Sequence, residues 1–351
     1  MLKEIHEAPN VLVDVFRGRI QFQEGIITTD ALRKLRDSEF TRVEFVACGT
    51  SYHAGLLACY WIEGLSDLDT GVTIASEFFS RPPRIAPSTL FVFISQSGET
   101  ADSIEPLKYL KAHGASTFGI VNVAGSTIAR LTDQGLFTRA GVEVGVAATK
   151  TFIGQIGSLL ILSLYFSVQS GADFRQYREI LDHIENLSLL AQDVLDLSEK
   201  IKKISVQLAK FPHILFLGRG SSLAVAMESA LKFKEISYIH ANGLPLGELK
   251  HGTLALIDEN CPSVVFVPDD AYFAMNTSAI AEIRARDGKI CAISQRPIPE
   301  AEWNIVLPET NSIFYCFLAS IAGQLLAYHA ADSLGRDIDK PRNLAKSVTV
   351  R

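Results

Sequence analysis

The spacing of apolar positions changes period repeatedly along this chain. "RVEFVACGTS" (42–51) is a short apolar run that closes on small and hydroxyl residues, the pattern of a buried strand entering a turn. "YHAGLLACYWIEGL" continues it at helical spacing. "GVTIASEF" and "TLFVFISQSGET" read as a second and a third strand, "ADSIEPLKYLKAHGA" as an amphipathic helix, and "STFGIVN" as a further strand. Strands that alternate with helices predict crossover units and a mostly parallel sheet, so the fold class is α/β. Residues 1–40 read as a polar, helical lead-in.

A polar helical stretch from 173 to about 210 interrupts the pattern, which then restarts. "HILFLGRGSS" repeats "RVEFVACGTS", and "AVAMESALKFKEI" is the helix after it. "PSVVFVPDDAYF" stands where "TLFVFISQSGET" stood, and "IAEIRARDGKICAIS" where "PLKYLKAHGASTFGIVN" stood. The chain is therefore an internal duplication with a period of about 170 residues. The expected plan is an N-terminal helical arm (1–40), a first α/β domain (41–170), a helical linker (171–210), a second α/β domain (211–335) and a C-terminal tail (336–351). The second copy has replaced the hydroxyl loop "SQSGET" by the acidic, bulky "PDDAYF".

With 48% hydrophobic and 21% charged residues among 351, the chain can bury large cores. A net charge of -6 argues against nucleic acid as a partner, because phosphate neutralisation needs basic surface. No apolar run reaches the roughly 20 residues of a membrane helix, and "GQIGSLLILSLYFSV" reads as a buried helix. "MLKEIHEAPN" has no apolar signal core. The five scattered cysteines have no metal-site spacing and read as small core residues of a reduced, cytoplasmic protein.

Three clusters carry candidate chemistry. "CGTS" (48–51) and "SQSGET" (95–100) both lie at the C-terminal ends of predicted strands, before helices. Ligands bind at that edge of open α/β sheets. Helix N-termini there offer free N–H groups, Ser and Thr add hydroxyl donors, and glycine allows close approach. An anion can be held in this way without a cation, although helix capping explains each motif singly. "LGRGSS" lacks the third glycine and the spaced acid of a dinucleotide site. In the second cluster, Glu228, Lys232 and Glu235 share one helix face, as a solvent-facing ion-pair stripe or as catalytic groups. His240 and His251 fit no common metal spacing. The third cluster is the tail "DIDKPRNLAKSVTVR", where a disordered end is the default, yet "LAKSVTV" is not a disordered composition.

"CGTS", "SQSGET", "GVAATK", "LKFKEISYIHA", "GELKHG" and "KPRNLAKSVTV" occur in this order, and together they closely resemble the isomerase half of the glucosamine-6-phosphate synthases, the glutamine–fructose-6-phosphate aminotransferases. The likeness runs from "KEIHEAP" to the last residues. It implies two tandem sugar isomerase (SIS) domains, each a flavodoxin-like three-layer sandwich, that act on a hexose 6-phosphate without metal or cofactor. By resemblance, the phosphate lies among Ser51, Ser95, Gln96, Ser97 and Thr100, with Thr50 close by, and Val146 and Ala345 also bind substrate. Ala148 stands where the family usually has a serine, so one sugar contact differs. Glu235 matches the proton-shuttling glutamate, and Lys232 and Glu228 its helix neighbours. His251 matches the ring-opening histidine, which in the family comes from the neighbouring subunit of a dimer. Lys346 matches the lysine that forms an imine with the open sugar.

These residue types suit the reaction. One carboxylate can take a proton from one carbon and return it to the next. An imine acidifies the adjacent C–H, and a cation such as Lys232 steadies the developing charge. The full synthases carry an N-terminal glutaminase domain, and this sequence starts at the linker, so a glutaminase domain or other ammonia source is expected elsewhere. The expected function is conversion of fructose 6-phosphate with ammonia to glucosamine 6-phosphate. The alternatives are a stand-alone glucosamine-6-phosphate deaminase and a non-catalytic sugar-phosphate-binding module.

Overall fold

The computed structural model describes residues 1–22, 26–27, 29–33, 35, 39–171 and 174–346. The last five residues of the expected tail, 347–351, lie outside the described residues, as do 172–173 of the expected linker and parts of the expected arm. The chain folds into two compact units. One contains Asn10–Glu143, Lys150–Asn186 and Ala345–Arg351, the other Met1–Pro9, Val144–Thr149 and Leu187–Leu344. Each is built on one parallel sheet of five strands.

In the first-sheet unit, β1 (Arg42–Ala47), β2 (Asp69–Ile74), β3 (Thr89–Ser95), β4 (Ser116–Val121) and β5 (Gln134–Phe137) pair in the order β2-β1-β3-β4-β5. In the second-sheet unit, β6 (His213–Gly218), β7 (His240–Pro245), β8 (Ser263–Val267), β9 (Ile290–Ser294) and β10 (Trp303–Val306) pair in the matching order β7-β6-β8-β9-β10. This is the flavodoxin-like order, and the duplication read from the sequence is a duplication of it. Strand β7 carries a glycine and a proline. Its Gly243 is required because a Cβ there would stand 2.5 Å from the Met227 Cα, and edge strands tolerate Gly and Pro that central strands do not.

Both faces of each sheet are covered, which is why the strands read as continuous apolar runs. On one face of the first sheet, Phe91, Phe93 and Val121 pack with Leu107 and Leu110 of the helix Ala101–Ala112 (α2, after α1 Gly49–Leu65). On the other, Gly55 of α1 lets that helix approach Phe45, Val72 and Ile94. In the second sheet, Leu215, Leu217, Val265 and Val267 form a core with Ile280 and Ile283. Phe216 on the opposite face packs on Phe233, with ring centroids 5.5 Å apart.

Other helices include α3 (Lys150–Gln169), α4 (Ser221–Ser237), α5 (Phe273–Arg284) and α6 (Ser312–Ser333), and the helices Phe174–Asp196 and Ser198–Leu208 fall in the polar stretch between α3 and α4. Helices α3 and α6 correct the expectation that no apolar run reaches about 20 residues, having 20 and 22 and being apolar enough to cross a bilayer, while the reading of "GQIGSLLILSLYFSV" as a buried helix holds. Their apolar windows are 94% and 89% buried within the protein, so they are core helices here. Helix α6 packs against α4 at Gly323, where a Cβ would lie 2.1 Å from the Ser229 Oγ.

The expected polar arm is also more structured than its sequence reading. Leu2–His6 and Ala8–Phe16 are helices, followed by a small antiparallel pair, Ile20–Gln21 with Ile26–Ile27. Ile5, Ala8, Leu12 and Val15 are buried, so the segment is amphipathic rather than polar.

Candidate functional site

Strand order reverses direction between β1 and β3, so their following loops diverge and leave a crevice at the C-terminal edge. The loop after β1 is "CGTS" and the loop after β3 is "SQSGET". Gly49 opens α1 at φ 53° and Gly98 turns the second loop at φ 66°, both in the left-handed region that glycine adopts without strain. A Cβ on Gly98 would also strike the Ser126 Oγ at 2.1 Å. The loop is tied to the neighbouring helix Thr127–Leu131: the Gly98 carbonyl accepts from Ile128 N (3.0 Å), and Glu99 Oε1 accepts from Thr127 N (2.7 Å). The Thr127 hydroxyl and N–H hold the Glu99 carboxyl below its usual range.

The loop hydroxyls are oriented from within. Ser95 Oγ, 4% exposed, accepts from Gly98 N at 3.0 Å and lies 3.2 Å from the Thr100 Oγ1. Ser97 Oγ accepts from Glu99 N at 3.1 Å. A serine whose lone pair is taken by an N–H still has its own proton to give, so such a hydroxyl is a ready donor to an anion. Thr100 and Cys48 stand at the N-caps of α2 and α1 without side-chain caps, which leaves the N-terminal N–H groups to other acceptors. Thr50, Gln96, Ser97 and Thr100 are half-buried, and Ser51 is buried.

Helix α3 joins this loop pair to Lys346. Gln155 Nε2 donates to the Ser51 Oγ at 2.9 Å. One turn earlier on the same face, Thr151 Oγ1 donates to Glu143 Oε2 (2.7 Å) and Thr151 N to Glu143 Oε1 (3.2 Å). Lys346 Nζ is 2.5 Å from the same Glu143 Oε2, with the carboxylate fully buried and the lysine side chain 26% exposed. The default reading of the tail as a disordered end therefore fails at Lys346; Ala345 beside it is exposed. Glu143 and Gln155 were not singled out from the sequence. The available signal was a lone acid in the apolar run "AGVEVGVAATK".

The second-sheet unit holds the remaining candidates. Glu228, Lys232 and Glu235 do share one face of α4, and that face is not solvent-exposed. Lys232 Nζ lies 2.6 Å from Glu235 Oε2 and 3.5 Å from Glu228 Oε1, with side chains 1%, 21% and 2% exposed respectively. The solvated ion-pair stripe is thus ruled out by burial. Ser229, beside Glu228 on α4, is in close contact with Gly323 of α6. Past the left-handed C-cap Tyr238 (φ 65°), the tail is anchored: Arg342 N donates to the Tyr238 Oη at 2.9 Å and its guanidinium lies over the ring. Val146 donates its N–H to the Asp339 carbonyl (3.1 Å), and Glu4 accepts from Val144 N, fixing the "GVAATK" backbone. His251 ends the 3₁₀ segment Leu246–His251 and is exposed. The second unit's loop after β8 is occupied by acids: Asp269 pairs with Arg296 at 2.8 Å.

All five cysteines are free thiols. Burial pushes Cys59, Cys291 and Cys316 up to about 12, so these sulfurs serve packing. Among the described residues, no group of three His, Cys, Asp or Glu side chains could hold a metal ion.

Comparison with known proteins agrees with this geometry. The sequence matches the SIS domain family over residues 34–164 and 207–331. It is 42% identical over 356 aligned residues to the glutamine–fructose-6-phosphate aminotransferase (isomerizing) of Chlorobaculum tepidum, covering all of this chain and 58% of that protein. The chain thus spans somewhat more than half the length of the curated relatives it matches. Its structure is similar to the C-terminal domain of glucosamine-fructose-6-phosphate aminotransferase from Francisella tularensis, with TM-score 0.91, 37% identity and 97% of each chain covered. It is also similar to a glucosamine-6-phosphate deaminase from Thermotoga maritima, with TM-score 0.80, 25% identity and 99% and 98% covered. Two copies of one sheet topology, both within the matched segments, make this chain a member of the SIS domain family.

Proposed function

We propose that the chain is the sugar-phosphate aldose–ketose isomerase moiety of a glucosamine-6-phosphate synthase, converting fructose 6-phosphate with ammonia to glucosamine 6-phosphate. The observation that carries this reading is the buried cluster on α4. A lysine 1% exposed between two carboxylates is costly to desolvate, and a module that only binds a sugar phosphate has no use for it. The identity to aminotransferases supports the same reading. The phosphate is assigned to Ser51, Ser95, Gln96, Ser97 and Thr100 with Thr50, and sugar contacts to Val146 and Ala345. Glu235 carries the proton between C1 and C2, Lys232 and Glu228 set its electrostatics, His251 opens the ring, and Lys346 forms the imine. Nitrogen from glutamine requires a glutaminase domain or another ammonia source. We also assign a cytoplasmic homodimer in which His251 serves the neighbouring subunit, and the arm, domain, linker and tail plan given above.

The whole-length likeness to a deaminase favours a second reading, in which the same C1–C2 chemistry runs toward release of ammonia. The deciding experiment is incubation with glucosamine 6-phosphate and, separately, with fructose 6-phosphate plus an ammonium salt, with products scored. Amino sugar formed from fructose 6-phosphate supports the synthase reading, and ammonia release alone supports the deaminase. In either direction Glu235→Gln is expected to lower turnover by about 10²-fold or more, since it removes a general base. Turnover that survives this substitution intact would show that the base has been misassigned.

A further inference from the structure

The ion pair between Lys346 and Glu143 is not explained by anchoring alone. Glu143 is fully buried, receives two donors from Thr151 at the N-terminus of α3, and still directs Oε2 at the Lys346 ammonium, 2.5 Å away. The other charged group at this turn is Lys150, 4% exposed, whose Nζ stands 3.8 Å from where a Cβ on Gly141 would be. A lysine that must attack a carbonyl has to lose a proton first, and Glu143 is the carboxylate that touches it.

We propose that Glu143 is the acid–base partner of Lys346: it holds the ammonium in the ligand-free protein, takes its proton when the open sugar arrives, and gives it to the departing hydroxyl when water leaves. This rests on the reading of Lys346 as the imine-forming lysine. Proton transfer from Lys346 to Glu143 gives a neutral amine and a carboxylic acid. The amine's lone pair forms the N–C bond to the sugar carbonyl, and after proton transfer within the adduct a neutral carbinolamine results. Glu143 then protonates the carbinolamine hydroxyl, the C–O bond breaks, and water leaves. The product is a protonated imine beside a regenerated Glu143 carboxylate, so charge and protons balance. No external base is consumed, and the positive imine forms beside a fixed negative charge.

The test is borohydride trapping of the imine with saturating fructose 6-phosphate, read as adduct at Lys346 by peptide mass spectrometry from pH 6 to pH 10. Wild type is expected to trap at a rate nearly independent of pH. Glu143→Gln, which keeps the shape and loses the base, is expected to trap about 10²-fold more slowly at neutral pH. Its rate should climb with pH and converge on wild type at the alkaline end of the range, where solvent base takes the lysine proton in place of Glu143. Profiles that stay parallel, or that coincide, overturn the proposal, because a purely anchoring carboxylate changes the rate equally at every pH. If Glu143→Gln does not fold, Thr151→Val removes one of the two donors that aim the carboxylate and should show the same convergence in weaker form. A wild-type protein that forms no adduct at Lys346 overturns the isomerase reading and this proposal together; a normal wild-type adduct with parallel profiles overturns the proposal alone.

Discussion

At the scale of single residues, the loop "SQSGET" works because its parts constrain one another. Gly98 combines a positive φ with a 2.1 Å approach to the Ser126 Oγ, and its N–H is the donor that orients Ser95. Gly98→Ala is therefore expected to cost about 1–3 kcal/mol of stability through backbone strain and collision. It should weaken binding of hexose 6-phosphates more than that of unphosphorylated hexoses, as read by thermal melting and calorimetric titration. An unchanged melt with unchanged binding would contradict this account of the loop. The hydroxyls, the glycine and the absence of a cation were legible in the sequence, because a turn's chemistry is local. Glu143 and Gln155 were not, since their partners, Lys346 and Ser51, lie 203 and 104 positions away.

At the scale of elements, apolar runs and turn residues gave the strands β1, β3, β4, β6, β8 and β9 and the long helices directly. The edge strand β2 was legible in "GVTIASEF", but the other edge strands escaped. Strand β7, "HANGLP", carries a glycine and a proline, and β10 is only four residues long, so neither has a periodic signal to detect. The polarity of the α4 face was also misleading, because spacing sets which residues share a face and only packing decides whether water reaches it. Helix α6 shows the same effect at His329, which is 6% exposed with Nε2 2.8 Å from the Ser198 Oγ. Burial lowers its titration below 6.5, with Lys202 and His6 adding to the shift and Asp332 and Glu199 opposing it. The unfolded chain then binds more protons than the native one below pH 6.5. Native stability is expected to be flat above that pH and to fall on acidification below it, by at most about 1.4 kcal/mol per pH unit for one proton. Melting His329→Gln beside wild type from pH 7.5 to pH 5.5 checks this. The variant should show the shallower decline, and equal slopes would remove His329 from the account.

At the scale of the whole molecule, the repeated topology was legible because both copies carry the same order of strands, turns and helices. A difference between the copies was legible too, since only one kept the hydroxyl loop. The proposed exchange of His251 between subunits makes a sharp prediction. His251→Ala and Lys346→Ala are each expected to be inactive, yet unfolding and refolding them together should restore about a quarter of wild-type turnover. Half the resulting dimers are hybrids, and each hybrid has one intact site of two. No recovery on mixing would place His251 in its own subunit's site.

The threading of the chain through its two units has a consequence for biosynthesis. Met1–Pro9 belong with Leu187–Leu344, so the buried Ile5 and Ala8 are made long before most of the unit they belong to. Met1 N and Asp339 are 338 positions apart, and Glu143 and Lys346 are 203 apart. Contacts of such separation close slowly and late. The pairing of Glu143 with Lys346 can be completed only once the tail is synthesised, so an incomplete nascent chain carries the loop and the charge cluster without the lysine. Translation order thereby withholds this ion pair from every unfinished copy of the protein.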